Sequence, residues 1–173
     1  YWSVLHQWNR IAHPTQHVLT PGDEWDAMNA ALEPRRQRRD QLVYVDGGAH
    51  DGVTALEFDE KVGPLEVHAF EPNPDLQADL RARLDNFDGR VHQAALGSRS
   101  ETVSFQINQS PMTSSMLARS DYAEKYFDAH TAPLKKVDVP CVTLDEWFAD
   151  SGLEQVDVFK LDLQGFELEA LKG

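Results

Sequence analysis

Cysteine, basic charge and long apolar runs are all scarce in this chain, and each shortage removes a class of protein. The single cysteine, Cys141, can form no internal disulfide. It lies in an apolar stretch and reads as a small core residue rather than a catalytic thiol. Lys and Arg number 16 against 29 Asp and Glu, a net charge of −13 over 173 residues. A duplex nucleic-acid binder carries a basic face, so this balance argues for small or neutral substrates and against nucleic acid. No apolar run approaches the roughly 20 residues of a membrane span, and no signal peptide is visible, which sets the expectation of a cytoplasmic protein. The chain opens on Tyr1 rather than a methionine, so it also reads as cut from something longer. Gly-x-Ser-x-Gly and Gly-Lys-Ser/Thr motifs are both missing, which removes the hydrolase elbow and the phosphate-binding loop.

What is present divides at about residue 40. Residues 1–40 form a helical and irregular lead-in. Tyr1, Trp2, Leu5 and Trp8 suit one apolar helix face, and Asp23 suits the cap of a helix over 24–32 with Pro34 near its end. His13 and His17 have zinc-helix spacing, but Pro14 and the lack of an adjacent Glu argue against a metal, and none is expected. Arg35-Arg36-Gln37-Arg38-Arg39 reads as a solvated basic run before the first strand, with an anion contact as the alternative. From residue 41 to 173 strands and helices alternate. The pattern predicts strands at 42–46, 65–70 and 90–95, helices at 53–61 and 75–84, and therefore βαβ units with a parallel sheet. Right-handed crossovers place the second strand beside the first and the third beyond it. Segments 101–108 and 135–143 alternate like half-exposed strands and predict an antiparallel addition at the sheet edge. A polar loop over 109–115 and a short helix over 122–127 lie between them. A helix over 144–150 capped by Thr143, a buried strand over 156–162 and a last helix after Gln164-Gly165 complete the pattern.

The first strand ends in Asp46-Gly47-Gly48-Ala49-His50-Asp51-Gly52, an acid followed by a glycine-rich turn. Glycines let a backbone approach a ligand and reach positive φ. The spacing Asp-x-Gly-x-x-x-Gly is one residue longer than the dinucleotide loop that seats a pyrophosphate on a helix N-terminus. An acid at this place repels a pyrophosphate and attracts an ammonium group. Glu71 stands at the tip of the next apolar run, where an α/β sheet holds a ribose by its hydroxyls. S-adenosyl-L-methionine offers both a ribose and an ammonium group and has no phosphate.

With these residues the chain resembles the FkbM family of S-adenosylmethionine-dependent methyltransferases. The resemblance runs from about Leu42 to Gly173 through blocks in order: Val45–Gly52, Ala69–Pro74, Ala94–Gly97, Thr113–Leu117, Val142–Asp145, Asp157–Glu167 and Leu171–Gly173. It implies the doubly wound, Rossmann-like sheet of a class I methyltransferase. Asp46, Gly48, Ala49 and Gly52 then border the methionine part of the cofactor. Glu71 takes both ribose hydroxyls, Asn73 sits near the adenine side, and Gln93–Ala95, with Ala94 as the contact, line the adenine pocket. The family sheet continues past the last strand seen here, so the resemblance also implies a fragment with strands 1–4 present, strands 5–7 missing, and the fourth strand open to self-association.

Asp162 ends the last predicted strand, on the sheet edge that carries Asp46 and Glu71. It is therefore expected to face the reactive methyl and the acceptor. Methyl transfer to a hydroxyl needs positioning and a group to take the proton, and Asp162 and then His50 are the catalytic candidates. Helix capping is the alternative role for Asp162. Glu167 reads as a helix-dipole partner. Lys160 suits either an acid inside the site or solvent. Gln164 stands where the family more often has Glu, which weakens any role for that position as a base. Ser114-Ser115 suit a loop covering the site, or ordinary polar surface. The leading expectation is O-methylation of a hydroxyl on a small molecule or sugar. A nicotinamide-dependent oxidoreductase and a non-catalytic binding module are the alternatives.

Overall fold

The computed structural model describes residues 23–109, 114, 116 and 133–173. The expected apolar face at the N-terminus, His13, His17 and the 122–127 helix lie outside these residues, as does most of the 109–115 loop. Helix α1 (Asp23–Arg36) leads into β1 (Leu42–Gly47), α2 (Val53–Val62), β2 (Leu65–Phe70), a 3-10 turn (Pro74–Leu76), α3 (Gln77–Arg83) and β3 (Asp88–His92). Then follow β4 (Ala95–Leu96), β5 (Glu101–Asn108), β6 (Pro133–Val142), α4 (Leu144–Ser151), β7 (Val158–Leu161) and α5 (Glu167–Ala170).

β1, β2, β3 and β7 form a parallel sheet in the order β3-β2-β1-β7. All six residues of β1 are buried, as expected of a central strand covered on both faces. Alternate side chains serve opposite faces. Leu42 and Tyr44 join the core formed with Ala55, Phe58, Val62 and Leu80, where the Tyr44 ring stacks on Phe58 with centroids 4.8 Å apart. Val45 joins the other core, with Phe70, Leu96, Trp147 and Ala170. The sheet is therefore doubly wound, with the order reversing between β1 and β7. Ligands of such sheets bind at this switch point, outside the carboxyl ends of the strands.

Several boundaries differ from the sequence pattern. α1 runs through Pro34 to Arg36 instead of ending near Leu32. Arg36 holds its last turn by donating from Nε and Nη2 to the Val62 carbonyl, at 3.2 and 2.7 Å. The strand expected over 90–95 is two strands. β3 ends at His92, and Ala95–Leu96 pairs with Cys141–Val142 in another sheet. That second sheet has the order β4-β6-β5, so the antiparallel hairpin β5–β6 is not an edge strand of the first sheet. β7 is shorter than expected and less buried, and Phe159 is 48% exposed because β7 is the outer strand. The basic run is structural on its described contacts. Arg35 Nε lies 3.1 Å from the wholly buried Asp157 carboxylate, and Arg39 pairs with Glu154 at 3.2 Å. No described helix is long and apolar enough to cross a membrane.

Candidate active site

The turn after β1 is built by backbone bonds. The N–H groups of Gly48 and Ala49 both donate to the Phe70 carbonyl, at 3.0 Å. Gly48 and Gly52 have φ of 74° and 81°, and His50 has φ of 52°. A Cβ on Gly48 would lie 2.1 Å from the Asp162 carbonyl oxygen, so only glycine lets this turn meet the tip of β7. Gly52 instead faces Leu80 and Leu84 of the α3 region and begins α2.

A cavity of about 300 Å³ opens where these elements converge. Gly48, Ala49, His50, Glu71, Ala94 and Asp162 of the expected site line it. Asp46, Gly52 and Asn73 do not. The Asn73 side chain accepts from the Asp75 N–H at 3.0 Å and so caps the 3-10 turn after Glu71.

Glu71 is buried and held at both oxygens. Oε2 accepts from the His50 N–H at 2.9 Å, and Oε1 accepts from the Asn73 N–H at 2.8 Å. A carboxylate offers about four lone-pair sites, so each oxygen retains acceptor capacity. Burial pushes the Glu71 pKa up, the two backbone donors with His50 and Lys160 pull it back, and the net shift is upward.

Asp46, outside the cavity lining, has a wholly buried side chain. Its register partner on β7 is Lys160, whose Nζ lies 2.9 Å from Asp46 Oδ1. The same ammonium donates to the carbonyls of Gly48 at 2.9 Å and Gly47 at 3.5 Å. Lys160 therefore takes the choice of an acid inside the site. It neutralises the carboxylate that the sequence suggested for a ligand ammonium group. Burial still raises the Asp46 pKa, with Lys160 opposing and Asp162 adding to the rise.

Around the mouth, Asp51 accepts from Arg83 Nη1 at 2.5 Å. Burial raises its pKa, but Arg83, the Val53 N–H and His50 outweigh that and leave it low. His50 Nδ1 is 3.5 Å from Asp51, while its buried Nε2 has no hydrogen-bond partner among the described residues. Asp162 is exposed and accepts from Gln164 Nε2 at 3.2 Å. Glu167 turns away from this chemistry. Its Oε1 accepts from the N–H groups of Leu163 at 2.7 Å and Gly165 at 3.2 Å, closing the turn into α5. Burial raises the Glu167 pKa, and backbone N–H groups, its own first and then those of Gly165, Leu163 and Gln164, bring it below the usual range.

Ser114, which the sequence offered as part of a loop covering the site, borders the cavity, and so does Met116. The sequence pattern missed Phe105 of β5, which borders the same cavity as Leu96 and Leu163. Thr113–Leu117 stood out as a block, but nothing in the sequence joined Phe105 to it. Among the described residues no cluster of three or more His, Cys, Asp or Glu side chains is arranged to hold a metal ion.

A doubly wound parallel sheet with a glycine turn, a held acid one strand over and a cavity at the switch point defines a Rossmann-like α/β fold. Residues 46–173 match the methyltransferase FkbM domain, and the chain belongs to that family. It is 24% identical over 143 residues to the 2-O-methyltransferase NoeI of Sinorhizobium fredii (strain NBRC 101917 / NGR234), covering 76% of this chain and 56% of NoeI. It is 30% identical over 152 residues to the methyltransferase sdnD of Sordaria araneosa, covering 75% of this chain and 59% of sdnD. The chain thus spans less than two thirds of the length of these curated relatives. A crystal structure of methyltransferase FkbM from Methylobacillus flagellatus KT aligns with a TM-score of 0.48 at 21% identity, over 77% of this chain and 28% of that one.

Proposed function

We propose that this chain carries the cofactor-binding part of an S-adenosyl-L-methionine-dependent methyltransferase that methylates a hydroxyl of a small molecule or sugar. The observation that carries this reading is Glu71, fixed at both oxygens by backbone N–H groups and still able to accept from a diol. The side chains present fit the proposed cofactor. Lys160 is engaged by Asp46 and two carbonyls, and Arg83 by Asp51. The cavity is thus poorly furnished for a pyrophosphate, which disfavours a nicotinamide dinucleotide. One relative's name, 2-O-methyltransferase, supports an oxygen acceptor.

When bound, the cofactor supplies an electrophilic methyl group on a sulfonium. Glu71 accepts from the ribose hydroxyls and fixes the nucleoside. Gly48 and Ala49 present backbone to the methionine part, and Ala94 gives the base an apolar surface. Asp46 acts as Lys160's partner, by holding the turn in shape. Gly52 and Asn73 act one step back as well, through the start of α2 and the turn after Glu71. Asp162 receives the acceptor proton, with Gln164 steadying one oxygen, and His50 is the second candidate.

Transfer of labelled methyl from the donor to a panel of sugars and small alcohols tests this reading. Asp162→Asn is expected to lower kcat by about 10²- to 10⁴-fold, the range of general-base catalysis. Its affinity for S-adenosylhomocysteine stays unchanged. Full turnover by this variant would remove Asp162 as the base.

A further inference from the structure

We propose that Phe105 and Met116, presented from the side of the second sheet, form the wall against which the purine base of the cofactor packs. This inference rests on the proposed use of S-adenosyl-L-methionine and assigns the base-contacting residues within it. The Glu71 N–H donates to the His92 carbonyl at 3.1 Å, which fixes the ribose-binding acid beside the end of β3. The chain runs from there through Ala94 into β4, and Ala94, Ala95 and Leu96 all border the cavity. Phe105 and Met116 border it too. Ala95 and Phe105 share one apolar cluster with Ile107, Val139 and Cys141, and Met116 packs against it. The charged lining comes from other segments, namely His50, Asp51, Glu71, Lys160 and Asp162, and Ser114, the polar residue beside Met116, accepts from the Asn108 N–H at 3.2 Å.

A nucleoside whose ribose is held at Glu71 therefore has an apolar side on which to lay its base. A purine offers a flat face, and a thioether and an aromatic ring are suited to one, the sulfur being soft and polarisable. The hairpin β5–β6 then acts as part of the ligand site as well as a structural addition. The parallel sheet supplies the ribose-binding acid, and the second sheet supplies the surface for the base.

Equilibrium titration of the chain with S-adenosylhomocysteine and with adenosine tests the assignment. The variants are Met116→Ala and Phe105→Leu. Met116 is half-buried, and Leu at 105 keeps the core position apolar. Thermal melts show whether each variant folds, and the first position serves if the second does not. Each folded variant is expected to weaken both probes by the same factor, about threefold to tenfold. Unchanged affinity for both probes, in a wild-type chain that binds them, would overturn the assignment and leave the cofactor reading intact. Weakening of S-adenosylhomocysteine alone would overturn it as well, because the wall would then face the amino-acid part. A wild-type chain that binds neither probe would overturn the cofactor reading and this inference together.

Discussion

Lys160 shows how one side chain joins folding to function. Its ammonium reaches across from β7 to a wholly buried carboxylate on β1 and to the two carbonyls that begin the glycine turn. Removing one member of a buried pair leaves the other charge unpaired, so Lys160→Met is expected to lower stability by about 3–5 kcal/mol in urea unfolding. Replacing both members, Lys160→Met with Asp46→Leu, is expected to recover part of that loss. An additive double variant would show that the pair is not coupled. Asp46 was legible in the sequence as an important acid but not as an occupied one. The pairing depends on the register that sets Asp46 opposite Lys160, two positions before Asp162. Glu71, His50 and Asp162 were legible because each follows a strand of evident pattern, and strand tips converge in a parallel sheet.

Elements were legible where one local signal decided them. Thr143 caps α4 by accepting from the Glu146 N–H at 3.1 Å, the spacing of a capping box. Thr143→Ala is expected to cost about 1 kcal/mol in thermal or denaturant unfolding, while Thr143→Ser stays near wild type. An equal loss in both variants would point to the methyl group's packing instead. The boundary near 93–95 was not legible. An apolar run identifies strand character but not the sheet that a strand joins, and the chain changes sheets between His92 and Ala95. The hairpin's place failed in the same way. Alternation along 101–108 showed one face covered, whereas the cavity beside Phe105 exists only once the two sheets meet. α1 passed through Pro34 because Arg36 and the Val62 carbonyl hold its end, a contact no local pattern announces.

Over the whole molecule, burial of titratable groups sets how stability responds to pH. His92 lies between Phe70, His68 and Trp147, with ring centroids 4.5, 5.6 and 5.9 Å away. Burial, with His68, Arg90 and Arg81 adding to it, pushes its pKa down to about 4. The unfolded chain takes up that proton at a higher pH, near 6.5. His92 therefore favours the folded state fully above that value. Its contribution is lost as pH falls toward 4 and is constant below. His92→Gln is expected to flatten this part of the stability curve relative to wild type. Identical curves from pH 7 to 4 would remove His92 as a contributor.

Glu71 is thus where the turn, the sheet order and the cavity meet, and calorimetric titration tests its role most directly. The wild-type chain and Glu71→Gln are each titrated with S-adenosylhomocysteine and with NAD. Wild type is expected to bind S-adenosylhomocysteine in preference to NAD, and Glu71→Gln to lose about 1.5–3 kcal/mol of that affinity, the value of hydrogen bonds to a charged group. Preference for NAD, or equal binding of S-adenosylhomocysteine by wild type and a folded Glu71→Gln, would contradict the account.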